Sequence, residues 1–136
     1  MRGFIHHLDL SVRDPIVSSA FYERVLAHLG YRKGEVYPDK GVDFDLKTEF
    51  GFSSIGVRIS EGPHAARAHD RYAPGLHHIA WSAEDRADVD ALYALLLEMG
   101  AEILDPPTEY PQYGEGYYAV FFADPDGLKL EYVHKP

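Results

Sequence analysis

Two short stretches of this chain carry adjacent histidines: GFIHHLDLSVRD at 3–14 and GLHHIAWSAED at 75–85. The chain has eight histidines, and four of them stand in these doublets. Near neutral pH an imidazole either moves protons or ligates a metal. Ligation needs donors from separate parts of the chain to converge, and carboxylates are common companions of imidazole. There is no cysteine, so a thiolate ligand, a thiol nucleophile and a disulfide framework are all excluded. The question is which histidines share a face with which carboxylates.

The elements that position them repeat. His7 and His78 are 71 positions apart, as are Asp14 and Asp85, Phe21 and Leu92, and Tyr22 and Tyr93. Gly30 and Gly100 differ by 70. The run FIHHLDLSV alternates and is rich in β-formers, so it predicts a strand. Asp14-Pro15 supplies an N-cap and a first-turn proline. Val17, Phe21, Val25 and Leu29 follow at helical spacing, and Gly30 stops the helix. YRKGEVY, VDFDLKT and SSIGVRIS are three further extended runs. The second half repeats the order. LHHIAWS predicts a strand, Ser82 and Asp85 form a capping-box pattern, and Val89, Leu92, Leu96 and Met99 make an apolar helix face ended by Gly100. AEIL, YYAVFFAD and LKLEYVH follow, with DPDG at 124–127 as a hairpin turn. The reading is α+β: two paired βαβββ modules, about 3–60 and 75–135, in a single domain spanning 1–136. The modules form a curved mixed-sheet cup with one helix per module on the outer face. The polar stretch around 61–74 joins them.

Strand side chains alternate between faces. In the first strand Leu8, Leu10 and Val12 take the helix side, leaving His7, Asp9 and Ser11 opposite. In the fifth, Ile79 and Trp81 face the helix, while His78, Ala80 and Ser82 face away. In the last, Lys129, Glu131 and Val133 face away from the helix. Two imidazoles and one carboxylate, His7, His78 and Glu131, thus line the helix-free face and make a divalent-metal site with positions open for substrate. His6 and His77 lie on the other side, for packing or for support of the ligands. Asp9 is a candidate general base on His7's face, or the partner that orients a metal-bound histidine. Arg58 shares the face of Gly56. It either clamps a substrate carboxylate or phosphonate or makes a rim salt bridge. Residues 106–116 are too rich in Pro and Gly for a regular element. Tyr110, Tyr113, Tyr117 and Tyr118 in and beyond that stretch either offer ring and hydroxyl to a substrate or cover a sheet edge or dimer interface. His28, His64, His69 and His134 are expected at the surface.

Composition narrows the partners. The net charge of −9 repels phosphate backbones and anionic lipid, so neither nucleic acid nor membrane is expected. No apolar run approaches the roughly 18 residues of a membrane span. The N-terminal segment MRGFIHHLDL lacks a signal-peptide core. A cytoplasmic location is expected.

HHLDLSVRDP…AFYERVLAHLGY, HHIAWSAED and FFADPDGLKLEYVH together resemble the vicinal oxygen chelate superfamily. That family includes glyoxalase I, extradiol dioxygenases, fosfomycin-resistance proteins and bleomycin-binding proteins. The resemblance covers nearly the whole chain. It implies paired modules around one divalent metal (Fe, Mn, Ni or Zn) held by His7, His78 and Glu131. It also implies a small substrate that chelates the metal through neighbouring oxygens, and a homodimer. The expected activity is a metal-dependent glyoxalase-like lyase or isomerase, with Glu131 and Asp9 as its catalytic carboxylates. Arg58, Tyr113 and Tyr117 stand on the substrate side. The alternatives are a three-ligand dioxygenase, a fosfomycin-type transferase and a metal-free binding protein of bleomycin-resistance type. In one respect the chain departs from glyoxalase I. Aligning SIGVRI with KLEYVH puts Gly56 opposite Glu131, where glyoxalase I members carry a fourth ligand.

Overall fold

The computed structural model describes residues 2–136. The chain divides into two compact units, one ending at Ala68 and one beginning at His69. The first contains β1 (His7–Val12), α1 (Pro15–His28), β2 (Arg32–Tyr37), β3 (Gly41–Thr48) and β4 (Gly51–Ile59). The second contains β5 (His78–Ser82), α2 (Arg86–Met99), β6 (Glu102–Glu109), β7 (Tyr118–Ala123) and β8 (Lys129–His134). Each unit is one βαβββ module with a four-stranded mixed sheet, in the orders β1-β4-β3-β2 and β5-β8-β7-β6. In both, the first strand pairs parallel with the last, and the remaining pairings are antiparallel.

One helix packs on one face of each sheet, and that face forms the core. Val12, Tyr22, Val25, Leu26, Phe44 and Val57 are buried in the first unit, and Val89, Leu92, Leu96, Val120, Phe122 and Leu130 in the second. Helix α1 starts where the sequence predicts: Asp14 accepts from the backbone N–H groups of Ile16 and Val17, and Pro15 opens the helix. Its buried face is rotated from the expected one. Ser18, Phe21, Tyr22, Val25 and Leu26 are inside, and Val17 is exposed. Two adjacent stripes at i, i+4 are needed to cover a sheet, and the sequence reading took only one. Helix α2 begins three residues later than the Ser82 capping box implies. Ser82 ends β5, while Asp85 is the N-cap and accepts from the Asp88 N–H at 2.8 Å. The Asp88 carboxylate reaches back to the Glu84 N–H at 3.0 Å, so the reciprocal cap exists one turn further on. Gly100 takes the left-handed conformation (φ 68°) that ends α2.

Strand β6 is longer than AEIL and runs through Pro106 and Pro107 to Glu109. It is the edge of its sheet, and its pairing with β7 shifts register between Asp105 and Thr108. Prolines are tolerated there because that edge needs no N–H from them. Of the stretch expected to be irregular, only residues 110–117 lie outside strands, and they include a short 3-10 turn, Pro111–Tyr113. The DPDG turn is confirmed. Buried Asp124 accepts from the backbone N–H groups of Asp126 and Leu128, both at 2.9 Å, and joins β7 to β8. On the core face, the Tyr132 hydroxyl of β8 donates to Asp88 Oδ2 of α2 at 2.6 Å, tying strand to helix.

Asp124→Ala leaves two turn donors without their acceptor and is expected to cost about 2 kcal/mol. Asp14→Ala, at an exposed cap, is expected to cost about 1 kcal/mol. Urea midpoints of the two variants check the order. Burial, and then the Asp88 hydrogen bond, raise the Tyr132 phenol above its ordinary value of 10.0. A raised folded-state pKa stabilises fully below the unfolded value and is lost as pH climbs through the folded one. The stability gap between wild type and Tyr132→Phe is therefore expected to hold at neutral pH and close above about pH 10, as read by urea unfolding across that range.

Candidate functional site

The alternation holds on both first strands. On β1, Leu10 and Val12 are buried and His7, Asp9 and Ser11 are exposed; on β5, Ile79 is buried and His78 half-buried. The doublets share one internal arrangement. His6 Nδ1 lies 3.0 Å from His7 Nδ1, and His77 Nδ1 lies 2.8 Å from His78 Nδ1. Each first ring also packs on an aromatic neighbour, His6 on Phe52 and His77 on Tyr72. The first histidine thus fixes the orientation of the second, as the partner of a ligating imidazole does. Desolvation, then the neighbouring His78, holds the His77 imidazole below its ordinary pKa.

In the second unit the alternation delivers a site. His78 Nε2 stands 3.3 Å from Glu131 Oε2, and Glu131 is 3% exposed although it carries a carboxyl group. Its other oxygen, Oε1, accepts a short hydrogen bond from the Tyr117 hydroxyl. Burial, then that hydrogen bond, pushes the Tyr117 phenol well above its ordinary pKa, so it is a donor throughout the physiological range. A cavity of about 270 Å³ opens on this pair, walled by Tyr113, Tyr117 and Phe121. Tyr110 stacks on Tyr113 and meets Phe121 edge-on, behind that wall. Lys129 places Nζ 4.5 Å from the centre of the Phe121 ring. The sequence reading placed Lys129 on Glu131's face without giving it a part, and it missed Phe121. The signal for Phe121 is its register opposite Glu131, which requires the β7–β8 pairing.

The first unit has a counterpart cavity of about 250 Å³, lined in part by His7, Asp9, Tyr37, Asp43 and Arg58. Arg58 is committed there. Its Nη2 bonds Asp43 Oδ1 at 2.6 Å, its Nη1 donates to the Val57 carbonyl, and its guanidinium lies 4.5 Å over the Tyr37 ring. Asp9 Oδ1 is 3.8 Å from Nη2. Tyr37 closes the cluster by donating to Asp43 Oδ2 at 3.1 Å. Tyr37 and Asp43 were not singled out from sequence, because only the β3–β4 register carries Asp43 opposite Gly56. That register also confirms the alignment of the two halves: Asp9 pairs with Gly56 as Ala80 pairs with Glu131.

Of the other histidines, His64 is exposed, and His28, His69 and His134 are half-buried. His69 Nε2 lies 2.8 Å from the Leu76 carbonyl oxygen. A wider groove of about 550 Å³ beside α1, lined by Ile16, Val36, Tyr37 and Ile59 among others, contains no histidine.

The donors suit a divalent metal. Two atoms bonded to one ion at about 2.1 Å, at angles between octahedral and tetrahedral, stand about 3.0–3.4 Å apart. His78 Nε2 and Glu131 Oε2, at 3.3 Å, fit that spacing. Among the described residues, neither unit by itself gathers three His, Cys, Asp or Glu side chains as a metal site.

Residues 4–132 match the model of the Glyoxalase/Bleomycin resistance protein/Dioxygenase superfamily. The chain is 31% identical over 129 residues to the uncharacterized protein YqjT of Bacillus subtilis, covering 95% of this chain and 97% of that one. It is 31% identical over 131 residues to the metallothiol transferase FosB of Shouchella clausii, covering 96% of this chain and 78% of FosB. A crystal structure of a candidate glyoxalase from Bacillus halodurans superposes with TM-score 0.82 at 28% identity, over 98% of this chain and 97% of that one.

Tyr117→Phe removes a donor from a buried carboxylate and is expected to cost about 1–3 kcal/mol. Tyr113→Phe, at an exposed ring, is expected to change stability by less than about 0.5 kcal/mol. Urea unfolding of metal-free protein compares the two.

Proposed function

The chain belongs to the Glyoxalase/Bleomycin resistance protein/Dioxygenase superfamily, and from that membership we propose that it is a metal-dependent, glyoxalase-like enzyme of lyase or isomerase type. The observation that carries this reading is the buried Glu131 carboxylate. One of its oxygens faces His78 Nε2 and the other is held by Tyr117. A buried carboxylate costs several kcal/mol unless its neighbours compensate it, and a cation between Glu131 and His78 is the strongest compensation this arrangement allows. His7, presented from β1 by His6, completes the ligand set. The first module supplying it belongs either to the same chain or to a second copy in a homodimer.

A divalent ion bound there (Fe, Mn, Ni or Zn) supplies Lewis acidity to substrate oxygens. The chain's own residues do the rest. His6 and His77 fix the orientation of the ligating imidazoles. Tyr117 keeps Glu131 turned toward His78. Glu131 and Asp9 are the carboxylates able to take a proton from a bound substrate carbon and return it. The rings of Tyr113 and Tyr117 shelter the substrate from water. Arg58 acts on the substrate side through the carboxylates it holds, since Asp43 occupies its fork. The modest cavity suits a small oxygen-rich molecule.

The resemblance to FosB favours a second reading, a metal-dependent transferase that adds a thiol to a fosfomycin-like epoxide. A metal-free sequestering protein would have no need to bury Glu131 against His78.

Metal analysis of tag-free protein tests the reading. About one divalent ion per chain is expected in wild type, with most of it lost in His7→Ala, His78→Ala and Glu131→Ala. Wild type that takes up none of Mn, Fe, Ni or Zn after incubation would sink it. Thiol consumption in the presence of fosfomycin would favour the transferase over the isomerase.

A further inference from the structure

Gly56 and Glu131 occupy the same place in the two modules, yet one has no side chain and the other is the buried carboxylate of the site. The cross-strand partners reverse this difference. Gly56 pairs with Asp9, and Glu131 pairs with Ala80. Each module therefore has one acidic and one small residue in this ladder position, with the acid on β1 in the first module and on β8 in the second. The two cannot both be large. A Cβ built on Gly56 would lie 2.2 Å from Asp9 Oδ1, so the Asp9 carboxylate fills the space that a side chain at 56 would take. Gly56 does not have a positive φ, and its glycine is explained by this crowding.

Asp9 is two residues beyond His7 on the same exposed face of β1, so both project from one side of the sheet. Both line the first unit's cavity. Arg58 steadies Asp9 without consuming it: the close bond goes to Asp43 at 2.6 Å, and the approach to Asp9 is 3.8 Å. The Asp9 side chain is 49% exposed, which leaves it oxygen free to ligate.

Resting on the metal reading above, we propose that Asp9 is a fourth protein ligand, the first module's counterpart of Glu131 presented from the neighbouring strand. The site would then hold its ion with two imidazoles and two carboxylates, one of each from a first module and one of each from a second. Two positions of an octahedral ion remain for the neighbouring oxygens of a substrate.

Calorimetric titration of metal-free, tag-free protein with Mn(II) tests this. Asp9→Asn keeps the shape and removes the charge, at an exposed position where folding is not threatened. It is expected to weaken Mn(II) binding by about tenfold or more. The double variant Asp9→Ala/Gly56→Glu moves the acid to the strand that carries it in the second module. With Asp9 truncated, the nearest atoms to the new Cβ are the ends of Arg58 and Asp43, both at 3.1 Å and both on flexible side chains. Its affinity is expected to return to within about threefold of wild type. Asp9→Asn binding within about twofold of wild type would overturn the proposal. So would a loss that the folded double variant fails to recover, which would make Asp9 only an ion-pair partner of Arg58. Wild type that binds no Mn(II) would remove the metal reading itself, whereas wild-type binding with an indifferent Asp9→Asn removes the fourth ligand alone.

Discussion

Each sheet has one face covered by a helix, and that burial decides where all the chemistry can stand. Leu10 and Val12 on β1, Ile79 on β5 and Leu130 and Tyr132 on β8 must lie under the helix. Strand side chains have a period of two, so a slip of one residue would turn the whole apolar set to water. The same constraint forces His7, His78 and Glu131 to the other face. The positions of the donors are thus a by-product of the strongest term in folding, and no separate device is needed to aim them. The doublets add orientation. The first imidazole of each pair fixes the ring of the second, and an aromatic side chain backs the first.

The second consequence is electrostatic. A carboxylate as buried as Glu131 is expensive to keep charged unless every oxygen has a partner. Here one oxygen has the Tyr117 hydroxyl and the other faces His78. Tyr117 belongs to the short connection between β6 and β7, which the 3-10 turn and the stacked Tyr110 and Tyr113 rings make compact. The connection therefore does more than cover the cavity, since it supplies the hydrogen bond that sets which Glu131 oxygen is available.

Much of this was legible in the sequence because it rests on local rules. The repeat, the strand faces, the Asp14 cap and the DPDG turn all follow from spacing within a dozen residues. What escaped depends on pairing between distant strands. Asp43 and Tyr37 meet Arg58 only through the β3–β4 register and the turn before β3. Phe121 meets Glu131 only across β7–β8. The α2 start was misplaced because Ser82 and Asp85 offer equally good capping chemistry. Tertiary pairing of Ser82 with Val133 in the β5–β8 ladder settles the choice. Pro106 and Pro107 suggested a loop because a sequence does not say which strand will be an edge.

The two cavities also differ in charge, and the difference gives them different work. Around Arg58 stand two carboxylates, Asp9 and Asp43, so the first unit's pocket is net negative and suits cations. Around Glu131 the only formal cation is Lys129, which makes the second unit's pocket close to neutral. A divalent ion held by Glu131 and His78 would turn that pocket strongly positive inside a wall of aromatic rings. There the field acts at low effective dielectric. An anionic, oxygen-rich substrate would then be drawn to the loaded protein and not to the empty one. Substrate affinity would be linked to metal occupancy by charge alone, before any bond between substrate and ion is counted.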